Sequence, residues 1–316
     1  MTELSPRQRL YDLMNGAIVT RALGIVADLD VARALADGPR PVAELAAANG
    51  ASPDALRRIL RALASSGVFE EVEPGVFANT EVSALLLEPG SSEFAHLFGG
   101  VWHRAAGELD ASGESAFPRV HGEGFWSWLA AHPDDRAAFD AAMVDGVESR
   151  VERLLSVEWR GDETIVDVGG GNGSLLVALL PRLPHARGVV FDLPETVRDE
   201  SSLGDRIEFV GGSFFDAVPR GDVYVLGTIL HNWPDEDAAR ILRAIRAAAP
   251  DDARLLVIDS VVPDGNARNP VKWLDLLMLA LFGGRERDEA QWRALLAATG
   301  FEPVSMRDGL IETVCR

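Results

Sequence analysis

The sequence has one cysteine, Cys315, in a chain of 316 residues. A lone cysteine excludes an internal disulfide framework and a zinc site built from several thiolates. Its position in the apolar stretch "LIETVCR" favours a buried residue of the last strand over a nucleophile. Chemistry that depends on paired thiols is therefore excluded.

Positive charge and long apolar runs are also scarce. Lysine and arginine number 30 against 49 acidic residues, and the formal net charge of −19 disfavours a large nucleic-acid or anionic-membrane surface. No apolar stretch reaches the ~18 residues that a membrane span needs, and the N-terminus "MTELSPRQRL" has no signal-peptide core. These absences favour a small-molecule ligand and predict a cytoplasmic protein without nucleic-acid or membrane partners.

A metal-ligand motif is missing as well. Four histidines, His96, His103, His121 and His132, fall in one region without the i, i+4 spacing or the acidic companions of a metal site. We therefore predict no metal centre.

The N-terminal part has the pattern of a winged helix. Ser52 and Pro53 are typical of a helix start, Gly67 of its end, and Pro74-Gly75 predicts a hairpin turn in "VFEEVEPGVFANT". One apolar stripe runs along the predicted helix: Leu56, Ile59, Leu60 and Leu63. The arginines on this helix, Arg57, Arg58 and Arg61, leave two interpretations open, DNA binding or a packing and dimerisation module, and the acidic remainder favours the second.

Aromatic residues are concentrated between positions 91 and 160. They either wall an apolar ligand pocket or form ordinary core. The group consists of Phe94, Phe98, Trp102, Phe117, Phe125, Trp126, Trp128 and Phe139.

From residue 162 onwards, β-branched apolar runs alternate with helical segments. The runs are "TIVDV", "GVVFD", "RIEFV", "DVYVLG" and "RLLVID". This alternation predicts a doubly wound α/β domain with a parallel sheet covered on both faces. Ligands of such sheets bind beyond the carboxyl ends of the strands, where the loops after these runs converge.

The first of these loops is rich in glycine. In "VDVGGGNGSL" four glycines, Gly169, Gly170, Gly171 and Gly173, occupy five positions, and a backbone without Cβ atoms allows a ligand to lie against the main chain before a helix. The sixth position of a dinucleotide fingerprint is Ser174, which weakens a pyrophosphate interpretation. Asp192, at the end of the next strand, can accept both hydroxyls of a ribose, so the pair predicts a nucleoside site.

Several motifs together resemble one family, the S-adenosylmethionine-dependent O-methyltransferases of the plant caffeate type and their bacterial natural-product relatives. They are "VDVGGGNGSL", "FDLPETV", "GSFFDAVP", "LHNWPDEDAARIL" and "GGRERDEAQWRALLAATGF". The resemblance covers nearly the whole chain. It implies a winged-helix dimerisation domain over residues 1–90, a helical connector contributing to the substrate pocket over 91–155 and a Rossmann-like catalytic domain over 156–316.

The resemblance also implies roles for individual residues. His231 matches the catalytic base, and Asp259 and Glu286 match the acids that orient it. Residues implied in cofactor binding are Asp167, Gly169, Gly170, Gly171, Asp192, Leu193, Ser213 and Phe214. Residues implied in substrate binding are Trp128, Phe139, Met143, Asn232 and Asp275.

This chain departs from the family pattern at four positions. Asp259 stands where the family usually has Glu, Ser213 where it has an Asp that receives the adenine amino group, Gly227 where a Lys is frequent, and Asn232 where an Asp follows the histidine. The last three of these departures concern cofactor binding and the adenine pocket more than the reaction, whereas Asp259 belongs to the acids implied beside the histidine.

The resemblance implies methyl transfer to a hydroxyl, phenolic in this family, of a small aromatic natural product, in a homodimer. Such a transfer needs no metal, provided that the acceptor oxygen is held near the methyl carbon and loses its proton. Two alternatives remain: a relative that retains S-adenosylmethionine while catalysing decarboxylation, hydroxylation or cyclisation, and a DNA-binding regulator that senses a nucleoside. Retention of His231 and Glu286 favours methyl transfer.

Overall fold

The computed structural model describes residues 5–144, 146–197 and 205–316. The chain divides into two compact units, one comprising Met1–Glu108 and Ala131–Asp145, the other Leu109–Ala130 and Gly146–Arg316. The region predicted as a connector, 91–155, is divided between them, because its middle part and its last helix belong to the second unit.

Helices of the described residues follow one another along the chain with these bounds: α1 (Pro6–Met14), α2 (Gly16–Asp28), α3 (Val31–Ala34), α4 (Val42–Ala48), α5 (Pro53–Ser65), α6 (Glu81–Ala84), α7 (Ser91–Gly99), α8 (Val101–Gly107), α9 (Phe117–His121), α10 (Phe125–Ala131), α11 (Pro133–Ala142), α12 (Val147–Leu155), α13 (Ser174–Leu179), α14 (Asp235–Ala248), α15 (Val271–Phe282) and α16 (Glu289–Ala297). Within the described ranges no single helix is long and apolar enough to cross a membrane, whereas the pair α1 and α2, bent by 48°, meets that test by length and composition only.

Strands form two sheets: β1 (Arg40–Pro41), β2 (Phe69–Glu73) and β3 (Val76–Asn79) in one, and β4 (Thr164–Val168), β5 (Arg187–Asp192), β6 (Ile207–Gly211), β7 (Val223–Gly227), β8 (Arg254–Ile258), β9 (Phe301–Arg307) and β10 (Leu310–Cys315) in the other. The small sheet has the order β1-β3-β2 and belongs to the first unit.

The winged-helix pattern of the first unit is confirmed. Ser52 caps α5 by accepting a hydrogen bond from the Ala55 N–H, and α5 buries Leu56, Leu60 and Leu63. The hairpin β2–β3 turns at the predicted Pro-Gly pair and pairs antiparallel.

The second unit is built on a seven-stranded sheet of order β6-β5-β4-β7-β8-β10-β9. Strands β4 to β8 pair in parallel and β10 pairs antiparallel with β8 and β9, so the predicted doubly wound fold is confirmed and carries an antiparallel edge. Cys315 lies in β10 as predicted, half-buried against the core.

Side chains of the strands point alternately to the two faces of the sheet and pack into a hydrophobic core on each face. In β4, Val166 and Val168 pack into the core on one face, whereas Ile165 packs into the core on the other. Helices α14 and α16 supply the first core, and α12 and α13 supply the second. Because both faces are covered, ligands can approach this sheet only at the ends of its strands.

Candidate active site

The glycine loop joins β4 to α13 in the backbone conformations that only glycine adopts readily. Gly169, Gly171 and Gly173 have φ angles of 76°, 58° and 77°. Apart from Gly171 itself and its two chain neighbours, no described residue has an atom within 4 Å of the position that a Cβ of Gly171 would occupy. The loop therefore presents bare main chain at the carboxyl end of β4.

The Asp167 side chain packs directly against this loop at Gly170. A Cβ on Gly170 would come within 2.8 Å of the Asp167 carboxylate, so no larger residue fits there without displacement. Asp167 Oδ2 is buried and has no hydrogen-bond partner among the described residues. Burial raises the pKa of Asp167 to about 7, and repulsion from Asp192 adds to the effect while Arg150 opposes it.

Asp192, at the end of β5, fastens the same loop. Its carboxylate accepts hydrogen bonds from the Gly171 N–H at 2.9 Å and from the Leu193 N–H at 2.7 Å. Leu193, which directly follows the strand, is 40% exposed. Asp192 therefore orders the glycine loop, a role that the sequence did not reveal.

Ser213 and Phe214 follow β6 in a tight turn. The Ser213 hydroxyl accepts a hydrogen bond from the Phe215 N–H at 3.2 Å. This serine, which is shorter than the Asp usual in the family, therefore bonds within its own turn. The ring of Phe214 is half-buried and packs edge-on against Phe215 and Trp233, at centroid distances of 4.9 and 5.9 Å. The edge of this cluster lies beside the ends of the strands.

His231 lies in a 3₁₀ turn, Leu230–Asn232, that follows β7. The strand β7 ends at Gly227, four residues before His231. Thr228 then takes the left-handed conformation, φ 56°, which is strained for a β-branched residue, while its N–H donates to the Ile258 carbonyl at 2.8 Å.

The same turn is held from the other side by the segment after α15. A Cβ on Gly284 would collide with the His231 carbonyl oxygen, and the Arg285 N–H donates to that oxygen at 2.9 Å. Buried Asn232 donates its amide to the Thr228 carbonyl at 3.2 Å. These contacts leave little freedom for the imidazole.

The three predicted catalytic residues come together. His231 Nδ1 lies 2.7 Å from Glu286 Oε1 and 3.5 Å from Asp259 Oδ1. The histidine side chain is 11% exposed and both carboxylates are fully buried. Since a carboxylate accepts, the short contact places a proton on Nδ1 and leaves Nε2 as the basic nitrogen of the neutral ring.

Electrostatic effects at this cluster oppose one another. Burial alone lowers the pKa of His231, but the Asp259 and Glu286 carboxylates raise it by more than burial lowers it. The net pKa of His231 therefore lies above the ordinary value. Burial raises the pKa of Asp259 to about 7, with His231 and Arg287 opposing. Neither oxygen of Asp259 makes a hydrogen bond of good geometry with a described residue. Asp259 can therefore act on the histidine through its charge when it is ionised, and not through a hydrogen bond.

Asp275 supports the cluster indirectly. Its carboxylate accepts a hydrogen bond from the Glu286 N–H at 2.8 Å, which ties α15 to the segment carrying the acid. The side-chain atoms of His231, Asp259 and Glu286 lie within 4.8 Å of one another, so this donor set also has the composition of a divalent-cation site.

Arg287 is a residue of this site that the sequence analysis missed. Its side chain is completely buried, and it donates to the carbonyls of Leu230 and Trp233, which flank the histidine turn. Two arginines in "GGRER" look alike in sequence, and only one of them is buried. No signal in the sequence distinguishes the two, because the partners of Arg287 are main-chain carbonyls and an acid more than 50 residues away in the chain.

The predicted substrate-binding residues divide between the two units. Trp128, Asn232 and Asp275 belong to the second unit. Trp128 lies in an aromatic cluster, with its ring centroid 4.6 Å from that of His121. Further rings of this cluster are Phe117, Phe125, Trp126 and Phe282. Phe139 lies on α11 and Met143 directly after it, in the first unit.

Comparison with known proteins agrees with this architecture. A family model described as an O-methyltransferase domain matches residues 102–302, and one described as an O-methyltransferase dimerisation domain matches residues 11–89. The chain is 37% identical to phenazine O-methyltransferase PhzM of Lysobacter antibioticus, over 92% of this chain and 90% of that protein.

Two further relatives differ in the acceptor that their names state. The chain is 38% identical to the 8-amino-8-demethylriboflavin N,N-dimethyltransferase of Streptomyces davaonensis, over 96% of this chain and 92% of that protein. The crystal structure of NcsB1, an O-methyltransferase from neocarzinostatin biosynthesis bound to S-adenosylmethionine and 2-hydroxy-5-methyl naphthoic acid, superposes with a TM-score of 0.85 at 30% identity, covering all of both chains. The chain belongs to the S-adenosylmethionine-dependent O-methyltransferase family that its motifs resemble, and S-adenosylmethionine is its methyl donor.

Proposed function

We propose that the protein methylates a phenolic hydroxyl of a small aromatic natural product, with His231 as general base and without a catalytic metal ion. The observation that supports this proposal most strongly is the 2.7 Å contact between His231 Nδ1 and Glu286 Oε1. Within the part of the chain that the structure describes, Nε2 has no hydrogen-bond partner, so this nitrogen is available to accept a proton from a substrate.

The residues at the strand ends fit S-adenosylmethionine. Bare main chain at Gly171, the acceptor atom of Asp167 that has no partner among the described residues, and the exposed side chain of Leu193 are suited to a nucleoside with an amino-acid tail. We propose that it is held by Asp167, Gly169, Gly170, Gly171, Asp192, Leu193, Ser213 and Phe214. When bound, it supplies a methyl group on a positively charged sulfur.

His231 would remove the proton of the acceptor hydroxyl. A phenol ionises near pH 10 in water, whereas an unperturbed imidazole titrates near 6.5, so an elevated pKa of His231 narrows the gap that proton transfer must cross. Glu286 holds the ring in the tautomer that exposes Nε2, and both carboxylates stabilise the imidazolium that forms.

A metal ion is not required for this chemistry, because the sulfonium already activates the methyl carbon and the histidine removes the proton. Treatment with a chelator should therefore leave the rate unchanged. Restoration of a lost rate by one divalent cation would contradict the metal-free mechanism and would indicate that His231, Asp259 and Glu286 act as ligands.

We propose that Trp128, Asn232 and Asp275 of the second unit contact the acceptor. The aromatic cluster that includes Trp128 offers flat apolar surface, which suits a planar ring system. Hydroxylated naphthoic acids are the first compounds to test, because NcsB1 was crystallised with one.

The proposal is tested with His231→Asn. The protein is incubated with S-adenosylmethionine and a panel of hydroxynaphthoates, hydroxyphenazines and simple phenols, and methylated product is followed by mass spectrometry. We expect the variant to bind S-adenosylhomocysteine like the wild type in calorimetry but to lose ~100-fold or more in kcat. Unchanged turnover would mean that another group is the base.

Methylation of an aromatic amine is the second candidate, supported by the 38% identical N,N-dimethyltransferase. An amine attacks through its lone pair and needs no prior deprotonation, so His231→Asn should cost less with an aromatic amine than with a phenol. A panel containing matched aminophenols and diphenols separates the two candidates.

We also propose that the protein is a homodimer, which the match to the dimerisation domain supports. The exposed apolar side chains of α1 and α2, including Leu13 and Ile18 at 65% and 71% exposure, fit a surface that is covered in a dimer. Mass photometry should show a species of twice 34.0 kDa. A monomer at all concentrations would contradict this proposal.

A further inference from the structure

Arg287 is the one arginine among the described residues whose side chain is both fully buried and placed against the histidine turn. Its guanidinium donates to four acceptors: Nη1 to the Leu230 carbonyl at 2.8 Å and to the Arg285 carbonyl at 3.5 Å, Nη2 to the Trp233 carbonyl at 2.9 Å and Nε to Asp235 Oδ1 at 2.9 Å. Burying a charge is costly unless its hydrogen-bonding groups are satisfied. These partners are what allows the Arg287 guanidinium to be buried beside the histidine turn.

Two of these acceptors bracket the catalytic histidine. Leu230 precedes His231 directly and Trp233 follows it by two residues, so the rigid fork of Arg287 spans the turn that carries the imidazole. The guanidinium lies over the Trp292 ring at 5.3 Å, which fixes the plane of the fork.

Arg287 also couples this turn to the acid. It follows Glu286 directly, and its carbonyl accepts the Val262 N–H at 2.9 Å, next to the end of β8 where Asp259 lies. A single residue therefore connects the three chain segments that supply the base and its two carboxylates.

Charge is the second property of this residue. The guanidinium is paired with Asp235, and its positive charge also acts on the buried Asp259, lowering the pKa of that carboxyl and of His231. Glu286 and the exposed Arg285 are the other charged groups facing this region. Without Arg287, two buried carboxylates would share one histidine with no fixed positive charge beside them.

We propose that Arg287 is a positioning residue for catalysis, whose guanidinium fixes the turn carrying His231 against Glu286 and supplies a positive charge beside the buried carboxylates. The proposal rests on the proposed role of His231 as base. On this proposal, the shape of the Arg287 side chain affects kcat, and its charge affects the titration of His231.

The experiment compares three variants of the full-length protein. Arg287→Gln removes the charge and most of the fork, Arg287→Lys keeps the charge but loses the fork, and Arg285→Met is the control. Arg285 also pairs with Asp235, at 3.2 Å, but its side chain is 42% exposed. The control therefore loses the same charge two residues away without disturbing the buried fork.

Two measurements are made on each variant. The first is the titration of His231 by NMR of the imidazole protons in the absence of substrates, assigned by comparison with His231→Asn. The second is kcat and the KM for S-adenosylmethionine with the best acceptor of the panel.

We expect Arg287→Gln to titrate at higher pH than the wild type, and both Arg287 variants to lose roughly 100-fold in kcat with little change in KM, because a small displacement of a catalytic group has that cost. Arg287→Lys should titrate close to the wild type. Arg285→Met should match the wild type in both measurements.

The inference is overturned if both Arg287 variants fold with wild-type titration and kcat, or if Arg285→Met produces the same changes. Should Arg287→Gln not fold, the comparison of Arg287→Lys with Arg285→Met still decides the positioning role. The base assignment fails separately, through an active His231→Asn enzyme, whereas the titration reports on Arg287 whether or not that assignment holds.

Discussion

Replacing Glu286 by Gln should expose the contribution of one buried charge to catalysis. The substitution keeps the size of the side chain and an oxygen that can accept the Nδ1 proton of His231 across the 2.7 Å contact. What it removes is a full negative charge on a side chain that is completely buried and therefore not screened by solvent.

The magnitude follows from the difference between a charged and a neutral hydrogen bond to the imidazolium. Charge-assisted hydrogen bonds are worth about 1.5–3 kcal/mol against about 1 kcal/mol for neutral ones, so the variant loses roughly 0.5–2 kcal/mol of stabilisation when the proton is transferred. At about 1.4 kcal/mol per factor of ten, kcat should fall by ~2- to 30-fold.

The pH dependence has a definite sign. Glu286 raises the pKa of His231, so its neutralisation lowers that pKa. His231 must be unprotonated to act as base, and activity is lost as the pH falls through its pKa in the folded protein. The acidic limb of the kcat profile should therefore move to lower pH while the plateau falls.

Initial rates between pH 5 and 9, with both substrates saturating, measure the two effects together. Glu289→Gln makes the same chemical change three residues away, at an exposed side chain paired with Arg293, and should leave both limb and plateau in place. A Glu286→Gln enzyme with wild-type plateau and limb would refute the stabilisation of the imidazolium by Glu286.

Three further substitutions test the supporting structure. Asp192→Ala should weaken S-adenosylhomocysteine binding in calorimetry by ~10-fold or more, because it removes a predicted ribose acceptor and the fastening of the glycine loop; unchanged affinity would relocate the nucleoside. Gly284→Ala should lower kcat and the melting temperature together, since the added Cβ would collide with the His231 carbonyl, and an enzyme unaffected in both would contradict that packing. The pKa of Asp167 is raised from 3.8 to about 7 in the folded protein, so the free energy of unfolding falls as the pH rises between these values. Asp167→Asn should flatten this part of a plot of urea midpoint against pH, and an unaltered plot would exclude Asp167 as the cause of the slope.

The parallel sheet and its ligand-binding edge were predictable from the sequence because each depends on local patterns. Apolar runs with helices between them determine strands and crossovers, and the ends of neighbouring parallel strands must meet. The ends of β7 and β8 bring the His231 turn and Asp259 together in this way.

Glu286 and Arg287 could not be placed by the same reasoning. Neither follows a strand of the parallel sheet, and their approach to the histidine depends on the carbonyls of Leu230 and Trp233 and on a close backbone contact at Gly284. Family resemblance implied the first of these residues. Nothing in the local pattern around "GGRER" distinguishes the buried arginine from its exposed neighbour.

In the proposed mechanism, two acids and one arginine surround a single base, His231. When His231 takes up a proton, a positive charge appears in a buried region, where it is costly unless negative charge is already fixed nearby. Glu286 provides that charge through a hydrogen bond, and Asp259 provides it at 3.5 Å only while it is ionised. Burial raises the pKa of Asp259 to about 7, and Arg287 opposes this rise. Arg287 thus favours the ionised form of Asp259, while its own positive charge lowers the pKa of His231 directly. If the proposed mechanism holds, the residue that fixes the histidine turn also limits how far its two acids raise the pKa of the base.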